Sequence, residues 1–527
     1  MAQRRHNFIS GAAVLALAVA VTKVLGALYK IPLGNLLDKE GMAHFYAAYN
    51  IYNLLLVLST AGLPLALSRL VSRAAAQGRR NAQRRIFRTA LALLAAIGLV
   101  CSALMCLFPQ TLSALLHDSL AAPAIRTLGP AVLFVCLTSA IRGYTQGLGD
   151  MTPTAVSQMT ESAGKLVIGL ALCLVLLHRG ADSSLCAAGA IAGVTAGSLL
   201  SLTVLTVFLL RRRDRAAVDV PPARSAVLRE LLTAGIPITL GAAGMSLITL
   251  LDQALVMSTL QNTLGYTEAA ATALYGEYTF GMTLFALPPS FIYPVTVSLV
   301  PDISAALARG DRPAAGRSAA AALKLTTLIA LPTGAGLSVL AGPILRLLYP
   351  AVPDTAAAAA YHLTILGIAC IFVCLMVATN GVLQAYGKEY IPVVTLLCGG
   401  ILKIITNYLM VGDPATNVRG APVSTLYCYG LIVVLNLIAI ARCVPERPSY
   451  LRLFARPVLI TAVMALAARS SYGLLARSLP ERWAVLPAIA VAVVVYGVLV
   501  LALGAVTRQD VLDLPKGEKI ARMLHLH

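Results

Sequence analysis

Runs of about twenty apolar residues recur along the whole 527-residue chain, separated by short charged or turn-forming segments. That length is what an α-helix needs to cross a hydrocarbon core of roughly 30 Å. In lipid every backbone polar group must be satisfied within the segment, so helices are what such runs form. About fourteen spans are read, beginning near Phe8, Ala43, Phe87, Ala124, Pro153, Ser184, Leu231, Thr272, Ser318, Ala356, Ile391, Val418, Leu453 and Ala484. Only 12% of residues are charged, against roughly 25% in soluble domains. An all-α polytopic membrane protein is expected. The first span follows Arg4 and Arg5 as a secretory signal would, but its apolar register continues past Lys23 to Leu28. A retained helix is therefore expected.

The chain also repeats itself. AVLFVCLTSAIRGYTQGLG from Ala131 returns as ACIFVCLMVATNGVLQAYG from Ala369, without a gap and at an offset of 238 residues that still holds at Lys165 and Lys403. Tyr46-Ala-Ala-Tyr49 returns as Tyr275-Gly-Glu-Tyr278, and Pro64 with Ser68 returns as Pro294 with Ser298. Spans one to six thus repeat as seven to twelve. An even number of spans per copy gives both copies the same orientation, a parallel repeat. The expected layout is two pseudo-symmetric six-helix lobes, residues 1–210 and 231–443, joined by a basic linker at 211–230. Two further spans (444–507) and a tail (508–527) follow. Gly189, Gly193 and Gly197, spaced four apart, predict close helix packing inside the first lobe. Pro64, Pro288, Pro289, Pro294 and Pro332 predict bends.

Charge supplies the orientation. With the N-terminus inside, 26 of 41 Lys and Arg residues fall in cytoplasmic segments and 6 outside, the bias that sets membrane topology. Both termini are expected on the cytoplasmic side. The most basic segments, from Ser72 and from Arg211, lack interleaved aromatics. They suit anionic lipid headgroups rather than nucleic acid. The ten cysteines form no CxxC pair and read as small hydrophobes. No GxxxxGK[ST], HExxH or GxSxG motif is present, so neither an intrinsic ATPase nor an enzyme is expected. Asp252 and Glu277 are available as an acid and a base, but at no defined spacing.

The embedded polar residues carry the chemistry. An ionisable group at the bilayer centre costs about 2.5 to 3.5 kcal/mol, so each asks for a partner or a water-filled cavity. The first lobe has Lys23 and Lys30 on span one, Arg142 on span four, and Glu161 with Lys165 on span five. The second has Asp252, Glu277, and Lys403 with Asn407. Glu161 and Lys165 share a helical face and can pair. Lys23, Arg142 and Lys165 are read as cavity-lining, against the alternative of an internal ion pair; Glu161 is read as a structural partner of Lys165 or Arg142. The change from Arg142 to Asn380 between the copies places charge on one wall of a central cleft. Several cations in a dehydrated cleft favour an anionic ligand, and a lipid diphosphate would suit them.

Three stretches, KVLGALYKIPLGNLL, YNIYNLLLVLSTAGLPLALSRLVS and RGYTQGLGDMTPTAVSQMTE, resemble the SpoVB and MurJ-like branch of the multidrug/oligosaccharidyl-lipid/polysaccharide exporter superfamily. The resemblance covers nearly the whole chain. It implies a monomeric flippase that carries an undecaprenyl-diphosphate-linked wall precursor, such as lipid II, across the bacterial cytoplasmic membrane by alternating access. Its partners would be that anionic lipid-linked substrate and membrane lipids. No resident cofactor is implied, with Na+ or H+ as the coupling ion. Lys23 matches a basic position facing the cavity, and Lys30 stands, within one residue, where a second occurs. Where relatives carry an arginine on span eight, this chain reads LYGEYTFGMTLFALP from Leu274, with Glu277. The implied substrate-binding set is Lys23, Lys30, Arg142, Glu161, Lys165, Glu277 and Lys403. Asp252, Asn407 and Thr425 resemble three ligands of a sodium site, with Val411 where a second Asp is expected. The alternatives are a cation-coupled multidrug exporter of the MATE type, for which twelve spans and an acidic cleft are expected, and a non-transporting scaffold in wall or spore-envelope assembly.

Overall fold

The computed structural model describes residues 24–211, 219–444 and 449–505, together with Ala18, Val21 and Thr22. All regular structure among them is helical. Contacts divide the chain into two compact units, Met1–Thr279 with Asn407–Val418, and Phe280–Thr406 with Arg419–His527.

The first unit begins with α1 over residues 24–36, followed by α2 (Lys39–Thr60), α3 (Leu63–Ala76), α4 (Arg80–Leu107), the short α5 (Pro109–Leu115) and α6 (Ala122–Gly147). Then come α7 (Thr152–His178), α8 (Ser183–Arg211) and α9 (Arg224–Ser258), which runs into a π-helical turn over Thr259–Thr263, and the first part of α10 (Glu268–Phe285). The second unit holds α11 (Leu287–Ala308), α12 (Arg312–Val339), the short α13 (Ala341–Leu348), α14 (Pro353–Ala385), most of α15 (Tyr390–Val411), α16 (Gly420–Cys443), α17 (Tyr450–Leu475) and α18 (Glu481–Ala502). Twelve helical segments among the described residues are long and apolar enough to cross a membrane. They correspond to spans two to seven and nine to fourteen of the sequence. The first span lies largely outside the described residues.

The eighth span is built from two helices. α10 ends at Phe285 and α11 starts at Leu287, with Pro288 and Pro289 opening the new helix. Its counterpart in the first repeat is interrupted too: α2 ends at Thr60 and α3 restarts at Leu63 with Pro64 in its first turn. Proline has no N–H for the preceding turn, so it starts helices well and continues them badly. At the first break the chain lies tight against α9. A Cβ on Gly62 would stand 2.0 Å from the Gly235 carbonyl oxygen. The Gly62 N–H that the break frees donates to the Thr239 hydroxyl at 3.2 Å.

The glycine row of α8 packs on α7, as its spacing predicted. A Cβ on Gly193 would lie 2.3 Å from the Gly169 Cα, and one on Gly197 would lie 2.5 Å from the Glu161 carbonyl oxygen. Backbone meets backbone there, and this fixes where Glu161 and Lys165 point. Gly193→Leu should force the two helices apart at a cost of about 3 kcal/mol. Its check is the unfolding midpoint of purified protein, which should fall, while Gly180→Leu, at a turn with open space around it, would act only through local backbone strain. An unchanged midpoint for Gly193→Leu would contradict this packing.

Linker residue Asp219 caps α4 from a distance. Its carboxylate accepts the Asn81 N–H at 2.8 Å and the Ala82 N–H at 3.0 Å, and the Asn81 side chain donates back to the Asp219 carbonyl at 2.8 Å. Those N–H groups belong to a first helical turn and have no partner within the helix. Desolvation acts to raise the Asp219 carboxyl, but the Asn81 and Ala82 donors, with the Arg79 charge, outweigh it and hold the pKa below the usual aspartate value. A depressed carboxyl stabilises the fold above its unfolded pKa of about 3.9 and loses that effect as pH falls through the lower folded value. Hydrogen exchange at Asn81 and Ala82 should therefore stay protected from neutral pH to about 4 and lose protection in stronger acid. The Asp219→Asn variant should show no such step; a step that persists in it would assign the protection elsewhere.

Candidate functional site: a cationic aromatic cradle in the first unit

α2 places Phe45, Tyr46, Tyr49 and Tyr52 within about two turns. Phe45 stacks on Tyr49 with ring centroids 5.7 Å apart and the planes 13° off parallel, and it meets Tyr29 of α1 at 6.0 Å. Tyr29 is buried and anchored, its hydroxyl donating to the Ala190 carbonyl on α8 at 2.8 Å. Two ammonium groups rest on this aromatic floor. Lys30 Nζ is 4.6 Å from the Tyr46 ring centroid and 5.3 Å from that of Tyr49, and it donates to the Tyr46 hydroxyl at 3.2 Å. Lys165 Nζ lies 5.1 Å from the ring centroids of both Tyr29 and Tyr49 and donates to the Tyr49 hydroxyl at 3.3 Å. Cation–π contacts of this kind are worth about 0.5 to 2 kcal/mol each.

Among the described residues neither ammonium has a carboxylate partner. Both charges face one ring, Tyr49. At a separation of up to about 10 Å and an effective dielectric constant near 20, they repel by at least on the order of 1 to 2 kcal/mol. Aromatic faces and phenol oxygens soften that repulsion without cancelling it, and a bound anion would cancel it.

Arg142 is used differently. Its Nη2 donates to Glu161 Oε2 at 2.9 Å and to the Ser201 hydroxyl at 3.0 Å, and its Nε donates to the Ser157 hydroxyl at 2.9 Å. The side chains are 14% and 26% exposed. Glu161 therefore pairs with Arg142, and the i,i+4 neighbour Lys165 turns to the tyrosines instead. This node ties α6, α7 and α8 together. The second unit has a neutral counterpart at the same 238-residue offset: Asn380 replaces Arg142, Thr395 replaces Ser157 and Gly399 replaces Glu161. There the Asn436 amide donates to Asn380 Oδ1 at 2.8 Å and to the Thr379 hydroxyl at 3.0 Å, while Thr395 donates to Asn436 Oδ1 at 2.8 Å. One scaffold thus carries a charged node in one copy and an uncharged one in the other.

Lys23 lies outside the described residues. Glu277 pairs with Lys39 at 3.0 Å, where α10 approaches so closely that a Cβ on Gly276 would meet the Lys39 carbonyl oxygen at 1.9 Å. Lys403 belongs to the second unit and is 5% exposed. Of the proposed sodium ligands, Asp252 and Asn407 come together in the first unit, Asn407 Nδ2 donating to Asp252 Oδ1 at 2.7 Å with both residues buried. Thr425 lies in the second unit and donates to the Ala421 carbonyl at 3.0 Å. Among the described residues no cluster of three or more His, Cys, Asp or Glu side chains is present. Buried Val411 stands where a second acid is expected, and Asp252 already accepts the Asn407 amide N–H.

Sequence reasoning found both lysines and missed their floor. The signal was present: Tyr46 and Tyr49, three apart, recur as Tyr275 and Tyr278, but tyrosines at helical spacing read equally well as core.

Membrane-length helices broken at matching places in two repeats accord with a transporter of the multidrug/oligosaccharidyl-lipid/polysaccharide exporter superfamily rather than an enzyme. The chain belongs to the Polysaccharide biosynthesis protein family, which it matches over residues 8–307, and it also matches the MatE family over residues 237–409. It is similar to three proteins of Bacillus subtilis (strain 168). Uncharacterized membrane protein YabM is 26% identical over 99% of this chain and 97% of that protein. Stage V sporulation protein B is 24% identical (84% and 85%), and Lipid II flippase MurJ is 23% identical (88% and 88%). Among solved structures it shares the fold of Lipid II flippase MurJ in an inward closed conformation, with a TM-score of 0.71 and 15% identity over 93% of this chain and 98% of that one.

Proposed function

We propose that the protein is a flippase for an undecaprenyl-diphosphate-linked wall precursor, lipid II or a related lipid-linked oligosaccharide, in the bacterial cytoplasmic membrane, working by alternating access with both termini inside. The observation that carries this reading is the pair of ammonium groups, Lys30 and Lys165, held on aromatic rings with no carboxylate among the described residues to neutralise them. A diphosphate brings the negative charge that this basin lacks, and ammonium groups serve it as point charges. The relative named as a lipid II flippase, similar along most of the chain, supports the same substrate class. An exporter of cationic drugs would call for an acidic cleft, and the cradle has the opposite sign.

In the mechanism, Lys30 and Lys165 receive the headgroup, and the tyrosines hold both ammonium groups in place by cation–π contact and phenol hydrogen bonds. Arg142 and Glu161 keep α6, α7 and α8 in register behind Lys165. The substrate is charged, so the membrane potential acts on its transfer, by about 2.3 kcal/mol per charge for 100 mV.

The test is reconstitution. Proteoliposomes containing the full chain should translocate fluorescent lipid II well above protein-free vesicles and leave a cationic dye outside. Accumulation of the dye without lipid movement would overturn the reading in favour of a drug exporter.

A further inference from the structure

α2 presents Tyr46, Tyr49, Asn50 and Asn53 at i, i+3, i+4 and i+7, which is one face of a helix. The two tyrosines belong to the cradle. The two asparagines open on a cavity of about 120 Å³ lined by Asn50, Asn53, Met245, Ser246 and Thr249, the last three from α9. Asn50 donates to Gln253 Oε1 at 2.7 Å, and both side chains are buried. Among the described residues the Gln253 amide nitrogen then has no hydrogen-bond partner. Buried amide N–H groups are nearly always paired, and this unpaired one belongs to the side chain that the wall residue Asn50 holds.

The chemistry of the wall is specific. It carries carboxamides and hydroxyls, and no lining side chain is charged. Such groups both donate and accept, which matches a polyhydroxyl ligand and offers an ion nothing of opposite sign. Four residues along α2 separate Tyr49 from Asn53, a rise of about 6 Å. That is close to the reach from a diphosphate to the first sugar ring bonded to it.

The geometry points to a saccharide subsite. With the diphosphate on Lys30 and Lys165, the uncharged first sugar of the same amphiphile sits against Asn50, Asn53, Ser246 and Thr249. This deepens the flippase reading and rests on it. The subsite gives the transporter a way to distinguish the glycosylated lipid from the bare polyprenyl diphosphate, which offers the same anion and no sugar.

The experiment compares two probes, lipid II and undecaprenyl diphosphate, titrated against the full chain in nanodiscs. Wild type should bind lipid II about tenfold more tightly. Asn53 and Ser246 make no hydrogen bond among the described residues, so Asn53→Ala and Ser246→Ala should fold normally. Together they should remove the lipid II advantage while affinity for undecaprenyl diphosphate stays within twofold. Lys165→Ala should weaken both lipids. Equal binding of the two lipids by wild type, an advantage that survives in the double variant, or equal weakening of both lipids by it would each overturn the subsite while leaving the flippase reading intact. If neither lipid binds wild type, the flippase reading falls and the subsite falls with it.

Discussion

Lys165→Ala should lower the rate of lipid II translocation in proteoliposomes at least about 30-fold, and Lys30→Ala with Lys165→Ala should abolish it. Removing one partner of a buried, hydrogen-bonded charge pair costs about 2 to 5 kcal/mol, and about 1.4 kcal/mol is a factor of ten. The loss should come with little change in stability. Among the described residues neither ammonium holds a carboxylate, and the floor beneath them is assembled by Tyr29, Phe45, Tyr46 and Tyr49 from α1 and α2. An unchanged unfolding midpoint with lost transport is the expected signature. Lys165→Arg should rescue only part of the rate, since a planar guanidinium covers the Tyr29 and Tyr49 rings differently from a compact ammonium. Full transport by the double alanine variant would remove the cradle from the mechanism.

Arg142→Ala should act in the opposite way, on folding first. It strands Glu161 between α6, α7 and α8, and an uncompensated buried charge costs about 3 to 5 kcal/mol. Glu161 keeps 26% of its side-chain surface, so solvent screening should place the effect at or below the lower end. Glu161→Ala alone should destabilise comparably. The double variant should lose clearly less than the sum, because each single change includes the cost of the orphaned partner. Unfolding midpoints of the four proteins decide the matter. Strict additivity would contradict an ion pair whose main work is to hold three helices together.

Much of the architecture was legible from hydropathy and self-similarity. Helices in lipid have few alternatives, so about twenty apolar residues in a row already specify the element. The 238-residue offset located the equivalent positions before any contact was known. The breaks in the second and eighth spans were written less clearly. Pro64 and Pro288 announced bends, but proline also sits quietly inside α6, α12, α17 and α18, and what distinguishes a break is the environment, such as Gly62 pressed on Gly235 with Thr239 at hand. For the site, the cost of embedded charge singled out Lys30, Arg142, Glu161 and Lys165. It did not say which would pair. Spacing along α7 favoured Glu161 with Lys165, whereas the serines of α7 and α8 draw Arg142 onto Glu161 and leave Lys165 to the rings. Asn50 and Gln253 went unnoticed because neutral amides bear no insertion cost large enough to stand out.

The interruption between α2 and α3 has a bearing on how such a chain can change over generations. A continuous helix transmits any added or lost residue as a rotation of about 100° to everything beyond it. With the hydrogen-bond ladder cut at Gly62, whose N–H goes to Thr239 instead, an insertion in α3 leaves the azimuth of Tyr46, Tyr49, Asn50 and Asn53 untouched. The two halves of that span are therefore free to drift separately, one bearing the ligand-facing stripe and the other its own neighbours, so that variation in loop-proximal segments is shielded from the residues that meet the cargo.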